Sequence, residues 1–230
     1  MENEAGTTSL FPEPRDPKVV NYNLTQTYGK LLDMVERAFK KDKPLFSLAI
    51  YYPLAYYSGD DETIDPIAEN RQKQVVALIR TNFLKRFESS VEAFKQSCWN
   101  LMYKLFAWVE VHAETKGEKS RLTRWKNQHA DLIGHEVREQ YELFDDEDPE
   151  EDVVPPELLE AVEQIDRDEY DVAEIINETM LDLQQIAEFL VELEKFKPKQ
   201  DKKLSALLKL LKNDSVISKH KVLILSLIHI

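Results

Sequence analysis

The sequence predicts a mainly α-helical fold. Two observations carry this prediction: apolar residues recur at helical spacing along most of the 230 residues, and glycine, which tight turns between strands favour, occurs only five times. Hydrophobic residues make up 43% of the chain, which is enough to bury a core. We expect a helical protrusion built from long helices, with short strands near residues 18–24 and 221–225.

Two long helices are predicted to meet at a joint. The first covers about residues 68–87 and the second about residues 90–115, each with apolar residues on one face. Between them, Ser89 and Glu92 have the spacing of a capping box, in which each side chain accepts a hydrogen bond from the backbone N–H of the other. A helix should therefore start at about Ser90, and these three residues should fix the structure of the joint.

Other helices are predicted on either side of this pair. Thr25 is a plausible N-cap for a helix that runs to about residue 41. Gly117, within Lys116 to Lys119, is expected to close the second long helix in a left-handed turn. A further helix should then cover about residues 120–141.

The C-terminal half begins with an acidic loop at residues 142–152. Pro155 and Pro156 should open a short helix, and Asp171 and Glu174 should cap a long one that continues to about residue 196. Residues 201–211 form a short amphipathic pattern before the predicted strand at 221–225.

Charge divides into two opposed blocks, although the net charge is −13. Residues 71–126 hold 12 Lys and Arg against 5 Glu, whereas residues 142–194 hold 21 Asp and Glu against Arg167 alone. Such blocks can be solvated helix faces, or the basic block can lie along a phosphate backbone. In the second case the acidic block should oppose the contact, so we expect the whole chain to bind duplex DNA barely at all and a chain ending near residue 126 to bind it weakly and without sequence preference. The candidate contacts are Lys85, Arg86, Lys95 and Lys104.

Four tyrosines surround a proline early in the chain and allow two interpretations. Tyr51, Tyr52, Tyr56 and Tyr57 lie close to Pro53. They could form a platform on which bases stack, or they could pack into the core beside a bend of the backbone.

The residues that nucleotide or metal chemistry would require are absent from the sequence. A phosphate-binding loop ends in Gly-Lys-Ser or Gly-Lys-Thr, but the one Gly-Lys pair of this chain, Gly29-Lys30, is followed by Leu31. The histidines lack the spacing and the neighbouring cysteines of a zinc site. We therefore expect no catalytic, cofactor-binding or metal-binding residue here.

Several features predict a cytoplasmic chain that does not contact a membrane. Cys98 has no second cysteine with which to form a disulfide, and acidic residues rather than an apolar run follow Met1. The apolar stretch at 222–230 is too short to span a bilayer, which requires about 20 residues.

Three segments, taken in order, resemble one family. Residues 82–94, NFLKRFESSVEAF, resemble the pattern R-x-x-x-L-K-R-L-E-S-S-x-x-A-F of bacterial helicase-related proteins of the Swi/Snf class, with Phe87 in place of leucine. Residues 11–28 resemble the point at which such proteins leave their first lobe. Residues 201–208 and 219–224 resemble the opening of the second lobe.

This resemblance implies a place for each part of the chain. Residues 1–24 would be the exit from a first RecA-like lobe, 25–141 a helical region with the basic block, 142–200 an acidic helical insertion, and 201–230 the start of a second lobe. In the parent protein, the lobes would bind ATP and magnesium and move along duplex DNA. The arginines that complete ATP hydrolysis would lie beyond Ile230.

The last six residues, Leu225 to Ile230, depart from the family pattern. They match the translation of a transposase adapter used to build sequencing libraries, so we expect the natural sequence to continue differently, a natural C-terminus being the alternative. A second interpretation of the whole chain also remains: a free-standing acidic helical module that binds a basic partner, or imitates DNA, through residues 142–194.

Overall fold

A computed structural model describes residues 19–23, 25, 28–39, 46–60, 63–133, 162–219 and 221–223. The predicted mainly helical fold class is confirmed, with almost no strand. Within these ranges the only strand-like pairing recorded is an antiparallel bridge between Tyr57 and Tyr170. Residues 19–23 and 221–223 carry no strand, and the other residues of those two predicted strands lie outside the described ranges.

Six α-helices have both ends within the described part of the chain: α1 Lys30–Ala38, α2 Pro66–Ser89, α3 Val91–His112, α4 Lys116–Gln128, α5 Val172–Glu194 and α6 Lys202–Asn213. Residues 130–133 are also helical, after a turn at His129 that interrupts the helix predicted over about residues 120–141. Short 3-10 turns lie at Ala49–Tyr51, Pro53–Tyr56, Pro198–Gln200 and Ile217–Lys219.

The core lies between α3 and α5, with α2 packed against α3. Large side chains of both central helices, among them Trp99 and Phe106 of α3 and Leu183 of α5, are fully buried. Burying a side chain of this size stabilises a fold by roughly 1.5–3 kcal/mol. The acidic block at 142–194 therefore includes α5, one of the two central helices. The apolar side of α5 packs into the same core as the apolar residues of the basic block.

A cluster of five phenylalanines joins the helices near the N-terminal end of α3. Phe83 of α2 lies against Phe94 of α3 with ring centroids 4.9 Å apart, and Phe94 lies 5.8 Å from Phe189 of α5. Phe46 stacks 6.2 Å from Phe189 and 5.7 Å from Phe39. These contacts align the three long helices.

Asp182, a buried carboxylate of α5, holds the segment that leads to the tyrosines. It accepts hydrogen bonds from the backbone N–H of Ser47 at 2.9 Å and of Leu48 at 2.7 Å, and from the Ser47 hydroxyl at 3.2 Å. Burial raises the pKa of Asp182 to about 6, although these hydrogen bonds act in the opposite direction. Leu48 has a left-handed backbone, with φ 56°, which the carboxylate contacts fix in place.

Side-chain caps explain where several helices begin. The prediction for α5 is confirmed, since the Asp171 carboxylate accepts from the N–H of Glu174 at 3.0 Å. Asp201 caps α6 in the same way through Leu204. At α4, Thr115 and Glu118 form a reciprocal capping box.

The predicted helix end at Lys116 to Lys119 is wrong. α3 ends at His112, and these residues form the first turn of α4. The capping box of Thr115 makes that turn a beginning, and Gly117 has no positive φ. The glycine is therefore tolerated within a helix and does not close one.

Two other helix predictions are wrong in part. Thr25, the predicted N-cap, and Tyr28 are themselves helical, but Gly29 adopts φ 50° and ψ −120° and interrupts the helix, so that α1 begins at Lys30. The helix predicted to open at Pro155 does not extend over 162–166, which are irregular; Pro155 and Pro156 themselves lie outside the described residues. Within the described ranges, no helix is both long and apolar enough to cross a bilayer.

The joint and the candidate nucleic-acid interface

The joint between α2 and α3 is capped by Ser90. Its hydroxyl accepts from the N–H of Ala93 at 3.0 Å, and its backbone is extended, with φ −162° and ψ 159°. The predicted capping box of Ser89 and Glu92 is therefore wrong: the cap is Ser90, and Ala93 has no side-chain acceptor that could complete a box. Ser89 is still the last helical residue of α2, and Glu92 lies exposed in the first turn of α3, where a negative charge favours the helix N-terminus.

The carbonyl groups at the end of α2 accept hydrogen bonds from two distant segments. Tyr28 donates its hydroxyl to the Phe87 carbonyl at 3.0 Å, and Tyr22 donates more weakly to Glu88 at 3.4 Å. The Lys203 ammonium of α6 donates to the carbonyls of Glu88 at 3.1 Å and Ser89 at 2.6 Å. The last carbonyls of a helix have no intrahelical donor, so these contacts replace water there.

Aromatic packing holds the same three segments together. The Tyr28 ring lies 4.4 Å from Phe87 and 6.3 Å from Phe196, which follows the end of α5. Burial, with a smaller contribution from the charge of Asp201, raises the pKa of Tyr28 far above its ordinary value. The phenol therefore stays protonated and remains a donor. The segments before α1 and after α5 thus meet at one end of the bundle.

α6 carries an apolar stripe that is open to solvent. None of its residues is buried, and Leu204, Leu207 and Leu208 are between 37% and 45% exposed. These positions follow the i, i+3, i+4 spacing of one helix face. Val222 and Leu223, further along the chain, are also exposed. A stripe of this kind normally marks a surface that another element covers.

The four predicted DNA contacts do not form one surface. Lys85 and Arg86 precede the joint by one turn, and Lys95 follows it by a similar distance. Lys104 is nine residues beyond Lys95, which places the two on opposite sides of α3 at 3.6 residues per turn. Lys104 lines a cavity of about 570 Å³ together with Trp108 of α3 and residues of the segment 162–170.

The four tyrosines support the packing interpretation. Tyr51, Tyr52 and Tyr56 are partly buried against the core, and Tyr57 meets the edge of the Tyr170 ring at 5.5 Å. The Tyr52 hydroxyl donates to Glu69 of α2 at 2.6 Å. These rings join α2 to the start of α5 and present no open row of faces.

His112 and Arg167 connect the far end of α3 to the segment before α5. The Nε2 atom of His112 accepts from the N–H of Ile165 at 3.1 Å, so its Nδ1 atom carries the proton toward the Trp108 carbonyl at 2.8 Å. Burial lowers the pKa of His112, which keeps the ring neutral. Arg167 donates to the His112 carbonyl at 2.6 Å and to Glu118 at 2.9 Å. In the part of the chain that the structure describes, no group of three or more His, Cys, Asp or Glu is placed to hold a metal ion.

α4 presents a polar outer face that the motifs of the sequence did not indicate. Its underside carries buried Leu122 and Trp125, and Lys126 pairs with Glu110 of α3 at 3.0 Å. The opposite side we call the α4 outer face, and all its members are exposed: Lys116, Lys119, Ser120, Thr123, Arg124 and Asn127. In the sequence these residues are spaced three and four apart, as the residues of one helix face are. The spacing identifies a face only when α4 is known to begin at Lys116.

Comparisons of the chain with profiles of known protein families, with curated protein sequences and with solved structures found no match in any of the three. The fold and the joint define a structural class, a helical bundle in which the segments before α1 and after α5 meet beside one helix joint.

Proposed function

We propose that this chain is the interlobe segment of an ATP-dependent DNA helicase or translocase of the Swi/Snf class. The observation that carries the proposal is the meeting of Tyr28, the joint and Lys203 at one end of the bundle. A helical segment inserted between two lobes has to leave the first and return to the second nearby, so its two connecting segments must lie side by side.

The exposed stripe of α6 supports the same proposal. Leu204, Leu207 and Leu208 lie uncovered at the end of the described chain, beside the joint that Lys203 contacts. In the proposed parent protein, the remainder of the second lobe would cover them, as the helices of a parallel α/β lobe are covered on their apolar sides.

The role of the chain in such an enzyme would be mechanical. Contacts of Tyr22, Tyr28 and Lys203 with the end of α2 would couple both connecting segments to one helix joint. A change in the distance between the lobes would then act directly on the packing of α2 against α3. ATP and magnesium would be held by the lobes, since the loop that cradles phosphate is not encoded in these residues.

The DNA that flanks this reading frame tests the proposal. We expect an in-frame phosphate-binding loop upstream and second-lobe arginines downstream, and ATP hydrolysis by the complete protein that duplex DNA stimulates. A ribosome-binding site and an in-frame stop codon immediately upstream of Met1 would contradict it.

That contrary result would favour the alternative of a free-standing acidic module. The observation relevant to it is the outer side of α5, where Glu174 and Glu188 are exposed while the apolar side of the helix is buried. Under this alternative, the purified chain should bind a basic protein partner through those carboxylates, and Glu174→Gln with Glu188→Gln should weaken that binding.

A further inference from the structure

We infer that the α4 outer face is a docking surface for the phosphate backbone of duplex DNA, separate from the joint. The choice of DNA as ligand rests on the function proposed above; the existence and shape of the surface rest on the structure.

The geometry of α4 places its outward residues on one side. At 100° per residue, Lys116, Lys119, Ser120, Thr123, Arg124 and Asn127 fall within a sector of about 140°. Leu122 and Trp125 lie on the opposite side, where both are buried, and Trp125 packs 5.9 Å from Phe106 of α3. The underside therefore fixes the direction in which the outer face points.

Other charged residues of α4 contact side chains of neighbouring elements. Lys126 pairs with Glu110, and Arg121 donates to Asn177 of α5 at 2.5 Å. The one acid of the helix, Glu118, is held by Arg167 and by the capping box at Thr115. Lys116, Lys119 and Arg124 are consequently left on a surface that contains no carboxylate of α4 itself.

The residue types on this face favour a nucleic acid over a protein. All its members are Lys, Arg, Ser, Thr or Asn, which are the side chains that contact phosphate and sugar in protein–DNA complexes. A stable protein interface normally has an apolar centre, whereas every apolar residue of α4 other than Gly117 faces the core. Outside α4, the nearest acids in sequence are Glu114, which pairs with Arg167 at 3.3 Å, and Asp131, which follows the end of the helix.

The α4 outer face lies away from the joint. α3 is 22 residues long, so its two ends are about 33 Å apart. The joint lies at the start of α3, and α4 packs beside its last turns, where Trp125 meets Phe106 and Lys126 meets Glu110. DNA held on α4 would therefore be contacted at a distance from the connecting segments.

Fluorescence anisotropy of a labelled 20-base-pair duplex, with the full 230-residue chain and its variants over a series of salt concentrations, tests the inference. The triple variant Lys116→Gln, Lys119→Gln, Arg124→Gln should raise Kd at least tenfold at low salt. Each lost phosphate contact should also make the slope of log K against log salt less steep by about 0.9. The matched control, Lys202→Gln, Lys209→Gln, Lys212→Gln on α6, removes the same charge from exposed positions and should change the slope by less than about one.

Three results would overturn the inference: no measurable binding by the unsubstituted chain at low salt, equal losses in the two triple variants, or a duplex displaced at low concentration by polyglutamate, which would indicate an acidic protein as the ligand. Circular dichroism of each variant verifies that the fold is retained. This assay does not depend on ATP hydrolysis, so the two proposals can fail separately. The α4 outer face can fail to bind DNA although the flanking DNA encodes helicase lobes, and it can bind DNA although the flanking DNA encodes none.

Discussion

Ser90 and Asp182 each satisfy backbone groups that the fold would otherwise leave without a partner. Ser90 accepts from the first turn of α3, and Asp182 accepts from two consecutive N–H groups in the segment before the first 3-10 turn. A buried donor without an acceptor costs roughly 1–3 kcal/mol, so single substitutions at these positions should be measurable.

Ser90→Ala should lower the free energy of unfolding by about 0.5–2 kcal/mol, the usual loss for a helix cap. Ser89→Ala is the matched control and should cost less, since the Ser89 side chain lies at the end of α2 and does not cap α3. Urea denaturation of the three proteins measures both effects. A larger loss of stability for Ser89→Ala than for Ser90→Ala would show that Ser89, and not Ser90, caps α3.

Asp182 should make stability depend on pH in an unusual direction. Because burial raises its folded-state pKa to about 6, the folded chain holds this proton more tightly than the unfolded chain. The resulting stabilisation is fully present below the unfolded pKa and is lost as pH rises through the folded one. Asp182→Asn cannot titrate, so the advantage of the native protein over this variant should shrink by roughly 1–3 kcal/mol from about pH 4 to about pH 7.

Chemical denaturation of the native protein and of Asp182→Asn at several pH values measures this difference. The variant should still be less stable at neutral pH, where Asp182 is ionised, because an amide presents one acceptor oxygen where the carboxylate presents two. Stability curves that run parallel over the whole range would show that Asp182 keeps an ordinary pKa.

Among the elements, α6 differs from the other helices in burying none of its residues. A stripe of exposed leucines on one side of a helix is a site for self-association when no other element covers it. None of the leucines in that stripe belongs to the buried core.

Leu207→Glu with Leu208→Glu should therefore reduce self-association and leave the melting temperature nearly unchanged. Lys209→Glu, an exposed substitution on the same helix that also adds negative charge, is the control and should affect association less. Sedimentation velocity and thermal melts provide the two measurements. A large fall in melting temperature would show that the stripe is part of the core of this chain.

On the scale of the whole molecule, the bundle is held by helices from both halves of the sequence. α5 lies along α3 and contributes buried residues such as Ile175, Ile186 and Leu190. DNA binding by a chain ending near residue 126, which the charge blocks predict, would require that chain to fold without α5. Such a chain would expose the side of α3 that α5 covers.

A shortened protein of residues 1–126 should consequently unfold without a cooperative transition. Removing α5 takes away Phe189, whose ring lies 5.8 Å from that of Phe94, and uncovers the side of α3 against which α5 packs. Near-ultraviolet circular dichroism and urea melts test this expectation. A sharp melt at a stability close to that of the full chain would show that residues up to 126 fold by themselves.

Local patterns determined the fold class and most helix positions. Apolar spacing and the acidic caps at Asp171 and Asp201 act within a few residues, so they can be read directly from the chain. The sequence was less informative where two neighbouring residues could both cap a helix. Ser89 and Ser90 are chemically equivalent caps, and the choice between them depends on where α2 ends after its last buried residue, Phe87.

Tertiary structure alone decided which segments meet. The contacts of Tyr28 with Phe87 and of Lys203 with Ser89 join residues 59 and 114 positions apart, and no periodicity encodes such a pairing. The same holds for two of the predicted DNA contacts, Lys95 and Lys104, which lie on opposite sides of α3. It also holds for the α4 outer face, which exists because Leu122 and Trp125 turn inward. Helices form from local spacing, whereas surfaces form from the way helices pack, and packing depends on shape complementarity between residues far apart in the chain.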